Sequence, residues 1–313
     1  MKHPLERRRQ RGVAVITALL LTTLAITLVA SLFWQQQVQV RSIENQRSQL
    51  QKQWILRGAL DWARLILRED AKSSPTDNLD EPWAVPLAET RLDQYVENGK
   101  ADTDASDAAL SGSIIDAQSR YNLTNLCPDG IIKAAEVAAF ARLLSNLRLN
   151  PAMAQATADM MAAAKKKQTQ EESPDTGSKP MNFVQVEDLL AVPGFSAEMF
   201  SSVKDFVVVL PRAAPVNVNT ASAEVLAARI EALSLADAAS IVASRATAHF
   251  RDVNDFVQRF PAKPLNAAAG DVSVRTEFFI VNGKVRLSRA SLELLSLIER
   301  SGSTTKVVWI REN

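Results

Sequence analysis

Few side chains in this 313-residue sequence stand in a pattern that does chemistry. The two histidines are His3, at the N-terminus, and His249, and neither has a cysteine or serine motif around it that would pair a nucleophile with a base. Cys127 is the single cysteine, so no intrachain disulfide can form, and it reads as a small buried hydrophobe. Asp102, Asp104 and Asp107 crowd together in DTDASDAALSG, but that run lacks the spacing and the terminal glutamate of a calcium-binding helix-loop-helix and reads as a solvated acidic loop. No catalytic residue, firm cofactor or metal-ligand set is assigned, and the chain reads as something other than an enzyme.

The strongest pattern is at the N-terminus. Lys2, Arg7, Arg8, Arg9 and Arg11 stand against Glu6, and Val13 to Trp34 (VAVITALLLTTLAITLVASLFW) carries no charge. About 22 residues at a rise of roughly 1.5 Å span a ~30 Å hydrocarbon core. Basic residues ahead of a span stay on the cytoplasmic side. The expectation is therefore a single-pass inner-membrane protein with a cytoplasmic N-terminus and a periplasmic C-terminal bulk. The whole chain sums to +1, and the basic leader leaves the remainder net acidic, which gives no electrostatic footprint for nucleic acid. A cleaved secretory signal would end in a small-residue site, whereas here the apolar run continues into helix-forming sequence. One helix is expected from about Val13 to about Asp70, and its apolar positions Trp54, Leu60 and Ile66 need a folded body to lean on.

That body reads as α+β. The stretch SSPTDNLDEPWAVPLAET is an ordered loop with Trp83, Val85 and Leu87 to bury, and Ser113 to Leu126 has strand or hairpin character. Two helices broken at Asn150 and Pro151 follow between Lys133 and about Lys167, and Lys165 to Pro180 is a solvated loop. Helical pattern returns over Val184 to Val209 and Ala221 to Phe260. Past Asp271, two β-rich runs split by Asn282 and Gly283 read as a hairpin, followed by a helix-like SLELLSLIER and a last strand, TTKVVWIRE. Strand regions on either side of a helical block predict one sheet with an inserted helical domain; two independent domains in series is the alternative.

Arg11, Gly12 and Val13, with glycine last in the leader and an apolar helix starting at once, resemble the signal of type IV pilins and pseudopilins; an uncleaved signal anchor is the bland alternative. The resemblance implies that a prepilin peptidase cuts between Gly12 and Val13 and that Val13 is then N-methylated. Pilins and most pseudopilins carry glutamate at mature position five. Here that position is Thr17, and the minor pseudopilin K family of the type II secretion system is the one known for lacking the glutamate. DNLDEPWAVPL, IIDAQSRYNLTNL, TEFFIVNGKVRL, LLSLIER and VVWIRE are similar to that family along the whole chain.

The resemblance implies a pilin-like long N-terminal helix packed on a small antiparallel sheet with a large inserted all-α domain. The boundaries are then 1–12 for the leader, 13–34 for the transmembrane part, 35–126 for the remaining helix, loop and first strands, 127–265 for the insert and 266–313 for the closing strands. It also implies a place at the pseudopilus tip, initiating or capping its assembly, with other minor pseudopilins, prepilin peptidase and the inner membrane as partners. Calcium in the helical domain is implied too, with no ligands that can be matched residue by residue. Within the insert, PVNVNTASAEVLAA, ADAASIVASR and HFRDVNDFVQRF resemble helix-hairpin-helix modules. Their DNA-binding forms use a glycine-rich turn to reach phosphate, but here Leu233, Ser234 and Leu235 fill it, flanked by Glu231 and Asp237, while AVPGFSAEMF keeps Pro193 and Gly194 without a basic residue. A packing or partner-binding module is expected, with no nucleic acid. A membrane-anchored DNA receptor of the competence type is the alternative. Asn217, Asn219 and Thr220 read as capping and turn residues.

Overall fold

The structure is a computed structural model that describes residues 11–92, 108–169, 182–260, 270–287 and 290–312. The leader up to residue 10 and the run holding Asp102, Asp104 and Asp107 lie outside the described residues. Two compact units make up the chain, Met1–Trp54 and Ile55–Asn313.

Helix α1 runs unbroken over Arg11–Ser73, three residues beyond the expected end. From Val13 onward it holds no proline and one glycine, Gly58, and good helix formers dominate. The amide of Ser74 bonds the Asp70 carbonyl at 2.9 Å, and Pro75 then ends the helix because it cannot donate. Among the described residues α1 is the one helix long and apolar enough to cross a membrane, and none of its apolar window is buried.

In chain order the second unit continues with strands β1 (Leu87–Arg91), β2 (Ala108–Asp116) and β3 (Tyr121–Asn122), then helices α2 (Ala134–Asn146), α3 (Met153–Thr169) and α4 (Ala197–Val203). Strands β4 (Val207–Val208) and β5 (Val216–Asn217) precede helices α5 (Ala223–Arg229), α6 (Leu235–Thr247) and α7 (Val253–Gln258). Strands β6 (Val272–Ser273), β7 (Phe278–Leu287), β8 (Ala290–Ser301) and β9 (Thr304–Glu312) close the chain. A five-stranded antiparallel sheet has the order β1-β2-β7-β8-β9, so β2 pairs directly with β7 across the whole helical region. That is the α+β arrangement expected, a long helix, one sheet and a helical insertion. The insertion is not wholly helical, because β3 pairs β4 and β5 pairs β6 as two-residue parallel bridges.

Both faces of this sheet are covered. On one, Phe279 and Val281 pack with Leu60, Ala63 and Leu67 of α1 and with Trp83. On the other, Phe278 and Ile280 pack with Ala117, Val208, Leu210 and Ala214. Trp83 is 1% exposed, lies edge-on to Phe279 with centroids 5.3 Å apart, and donates its indole N–H to Glu81 Oε2 at 2.7 Å. Burying one such apolar side chain contributes roughly 1.5–3 kcal/mol. The helical region has its own core, with Tyr121 stacked on Phe140 and Phe250 edge-on to Phe256. Ser196, Ser222, Ser234 and Asp252 cap α4 to α7 by accepting backbone N–H bonds.

Several expectations are corrected. Asn282 and Gly283 make no turn: they sit in the middle of β7, with Gly283 opposite Gly112 of β2. The glycines serve close approach, since a Cβ on Gly112 would lie 2.6 Å from the Asn282 carbonyl oxygen and one on Gly283 3.2 Å from Leu56 Cδ2. SLELLSLIER is not helical but forms β8, because a strand covered on both faces has a near-continuous apolar run that also fits helical spacing. Val184 to Val209 holds a 3-10 turn, α4 and β4 rather than continuous helix, because Pro193 and Gly194 break it. The strand expected over Ser113 to Leu126 stops at Asp116, whose side chain accepts from the Gln118 amide and turns the chain into a 3-10 segment. Val85 is exposed although its neighbour Trp83 is buried, and α3 takes in the first five residues of the expected loop, Lys165 to Thr169.

Candidate functional site

In the first unit Gly12 and Val13 lie in the first turn of α1, and the Val13 side chain is exposed. Thr17 donates its hydroxyl to the carbonyl oxygens of Val13 and Ala14, each at 3.0 Å. Thr22, Thr23 and Thr27 make the same backbone bonds one or more turns on. A hydroxyl satisfied inside its own helix needs no partner in hydrocarbon, whereas a carboxylate at that depth costs about 2.5–3.5 kcal/mol on insertion scales.

In the second unit the polar groups converge where α1 ends. Arg300 of β8 is buried and donates to Asp70 Oδ2 at 2.8 Å, to the Leu67 carbonyl at 3.3 Å and to the Thr276 carbonyl at 3.2 Å, and it also pairs with Asp77. Its guanidinium lies over the Phe279 ring, 4.6 Å from the centroid. Asp77 further accepts from the Thr276 amide at 2.7 Å. Next to it, Asp116 accepts four donors: the Gln118 amide at 2.7 Å, the Thr276 and Thr220 hydroxyls at 2.5 Å each, and Asn217 Nδ2 at 2.9 Å.

The turn role expected of Asn217 is present, since the Asn219 amide donates to its Oδ1 at 3.0 Å. The capping role is not, because Ser222 caps α5. Asn217, Asn219 and Thr220 are instead buried cross-links: Asn217 also reaches the Asp77 carbonyl at 3.0 Å, and Asn219 exchanges two bonds with the Phe250 backbone. Arg300, Asp70, Asp77 and Asp116 belong to no local motif; the one sequence signal is at Asp116, a lone charge closing the apolar SIID run.

Asp70, Asp77 and Glu81 bring one oxygen each within 4.8 Å of one another, the kind of grouping that can hold a cation. They do not fit one. Arg300 supplies the positive charge to Asp70 and Asp77, and Glu81 is taken up by Trp83 and by the Asn78 amide and side chain. Calcium takes six to eight oxygens, whereas here a guanidinium already neutralises Asp70 and Asp77 and both oxygens of Asp77 and of Glu81 are bonded.

Burial, followed by repulsion from Glu81, raises Asp70 from an ordinary 3.8 to about 6 despite Arg300. Burial raises Asp116 to about 6 against the opposing hydrogen bonds of Thr220 and Thr276. The folded chain therefore holds these protons more tightly than the unfolded chain, so stability from both groups grows as pH falls through about 6 toward 4. We expect the unfolding temperature of the native chain, relative to Asp70→Asn, to rise between pH 7.5 and pH 5. A difference of about 1 kcal/mol corresponds to roughly 2–4 °C in a domain this size. A relative fall over that interval would contradict the assignment.

Two family models described as type II secretion system (T2SS), protein K match residues 119–212 and 216–275. The type II secretion system protein K of Pseudomonas aeruginosa is 30% identical over 315 residues, covering 94% of this chain and 90% of the relative. The chain belongs to the type II secretion system protein K family. Protein K of Klebsiella pneumoniae is 27% identical, covering 97% of this chain and 96% of the relative, and that of Aeromonas hydrophila is 26% identical with 97% of each covered. The fold matches the crystal structure of the GspK-GspI-GspJ complex from the enterotoxigenic Escherichia coli type 2 secretion system, with TM-score 0.62 and 18% identity over 86% of this chain and 98% of that chain.

As a protein K, the chain is a minor pseudopilin of the type II secretion system, and its relatives are named for a secretion component rather than for a reaction. The DNA-receptor alternative is not favoured. The helix-hairpin-helix turn supports this physically: the N-terminus of α6, which a phosphate would approach, is closed by a capping box. Ser234 accepts from the Asp237 amide at 3.2 Å, and Asp237 accepts from the Ser234 amide at 3.0 Å, which places a carboxylate where an anion would bind. His249 is half-buried between α6 and α7, its carbonyl taken by Arg259, and Cys127 is buried as expected.

Proposed function

We propose that prepilin peptidase cuts between Gly12 and Val13, that Val13 becomes the methylated N-terminus, and that residues 13–34 remain in the inner membrane with the bulk of the chain in the periplasm. We propose further that the protein occupies the tip of the pseudopilus, where it initiates or caps assembly with other minor pseudopilins. The observation that carries the tip placement is Thr17. In the glutamate-bearing pseudopilins a carboxylate at this depth pairs with the N-terminal ammonium of a neighbouring subunit. Here the side chain is satisfied by its own helix and asks for no neighbour above it. The large helical insertion between β2 and β7 adds bulk that obstructs stacking of a further subunit. The solved relative is a complex of GspK with GspI and GspJ, and the same kind of association is proposed for this chain. Calcium in the helical region enters this reading with no residues assigned.

The test is quantitative recovery of the full chain from membranes of a secreting strain, cross-linked in place. A tip subunit comes down in equal amount with the other minor pseudopilins and far below the major one. Recovery in proportion to the major pseudopilin, as for a shaft subunit, would contradict the placement.

A further inference from the structure

The helical region leaves the sheet at the last residue of β2, Asp116, and returns through Thr276 just before β7. One carboxylate joins both crossings. Asp116 accepts from Gln118 on the way out, from Thr276 on the way back, and from Asn217 and Thr220 in the middle of the insertion. Gln118 repeats the link: its Nε2 donates to the Pro215 carbonyl at 2.9 Å and its Oε1 accepts from the Glu277 amide at 2.6 Å. Four donors saturate the acceptor capacity of a single carboxylate, and charge-assisted bonds of this kind are roughly twice as strong as neutral ones. Besides this polar neck, the region meets the sheet through the small cluster of Ala117, Val208, Leu210 and Ala214 on Phe278, Ile280 and Leu297, and through two half-exposed or exposed polar links: Arg212, which pairs with Glu277 and Glu299 over the Phe278 ring, and Arg311, which donates to the Val184 carbonyl at 3.0 Å. Exposed ion pairs of that kind contribute little.

We infer that Asp116 is a clasp that fixes the orientation of the helical insertion on the sheet, so that releasing this one side chain frees the neck to hinge while both cores stay intact. The inference stands on the neck geometry alone and does not require the tip placement. The other charged groups facing the clasp are Asp77 from the loop after α1, Arg300 from β8 through Asp77, and Arg245 from α6, which donates to the Val218 carbonyl at 2.7 Å.

The test places spin labels at Ser201 of α4 and Thr304 of β9, both exposed, in full-length chain carrying Cys127→Ala, in detergent. Distance distributions are measured for the Asp116 chain, Asp116→Ala and Thr276→Val, with amide hydrogen exchange on the same samples. The native neck gives a narrow distribution. Asp116→Ala is expected to at least double its width, and Thr276→Val to widen it less, while amides of α2 and α5 stay protected and those of Gln118 and Glu277 exchange faster. An unchanged width in a folded Asp116→Ala chain would overturn the inference. Loss of protection throughout α2 and α5 would overturn it as well, since Asp116 would then hold up a core rather than a neck.

Discussion

Arg300→Ala lowers the stability of the body formed by residues 55–313 by about 3–5 kcal/mol, the range measured when one partner of a buried ion pair is removed. The size follows from what the truncation leaves behind. Asp70 and Asp77 are 6% and 2% exposed, and Arg300 is the cation they share. Without it, two largely buried carboxylates face each other and Glu81 with no cation between them, and the Leu67 and Thr276 carbonyls each lose a donor. The ring contact with Phe279 is lost as well. Denaturant unfolding of the full chain in detergent, followed by tryptophan fluorescence, reads the effect as a lower midpoint with an unchanged slope. Adding Asp70→Asn and Asp77→Asn to the alanine variant restores part of the loss, because neutral amides cost less to bury than unpaired charges. A loss below about 1 kcal/mol, the ordinary range for an exposed pair, would show that the pair is solvated.

Gly12→Leu blocks removal of the leader and, with it, secretion by the strain that depends on this chain. The argument rests on the N-terminal sequence. On the proposed topology and processing, a leader bearing Lys2, Arg7, Arg8, Arg9 and Arg11 would hold the helix start at the cytoplasmic face, and its retention would leave those charges where the processed subunit would have a bare ammonium. Helix α1 includes Gly12, and leucine is a better helix former than glycine, so the substitution is expected to leave the helix intact and to act on processing. The variant should accumulate in the membrane fraction at the native level with its leader intact, and protein export should fall to that of the deletion strain. Native export with an intact leader would remove processing from the account.

The two halves of the fold differed in how much the sequence disclosed. α1 was legible to within three residues because a charge-free run followed by proline-free helix formers leaves no other element for it. Helices α2 and α3, broken at Asn150 and Pro151, and the helical pattern of α5 to α7 were legible for the same local reason, whereas the short α4 was hidden in a longer run that Pro193 and Gly194 interrupt. β8 was not, because Leu292, Leu294, Leu295, Leu297 and Ile298 satisfy a helical period and a doubly covered strand equally well. Asn282 and Gly283 carry the strongest local turn signal, and the close packing of Gly283 against Gly112 and Leu56, which overrides it, is a tertiary fact. The buried node was the least visible. Asp116 meets Thr276 across 160 residues and Arg300 meets Asp70 across 230, separations over which local pattern carries no information.

The most direct test of the central claim is the mass of the N-terminus of the native chain made with and without a prepilin peptidase. The account predicts a mature chain beginning at methylated Val13 when the peptidase is present and an intact leader when it is absent. An intact Met1 terminus in both strains would contradict it, leaving a signal-anchored member of the family whose place in the pseudopilus would have to be argued without processing.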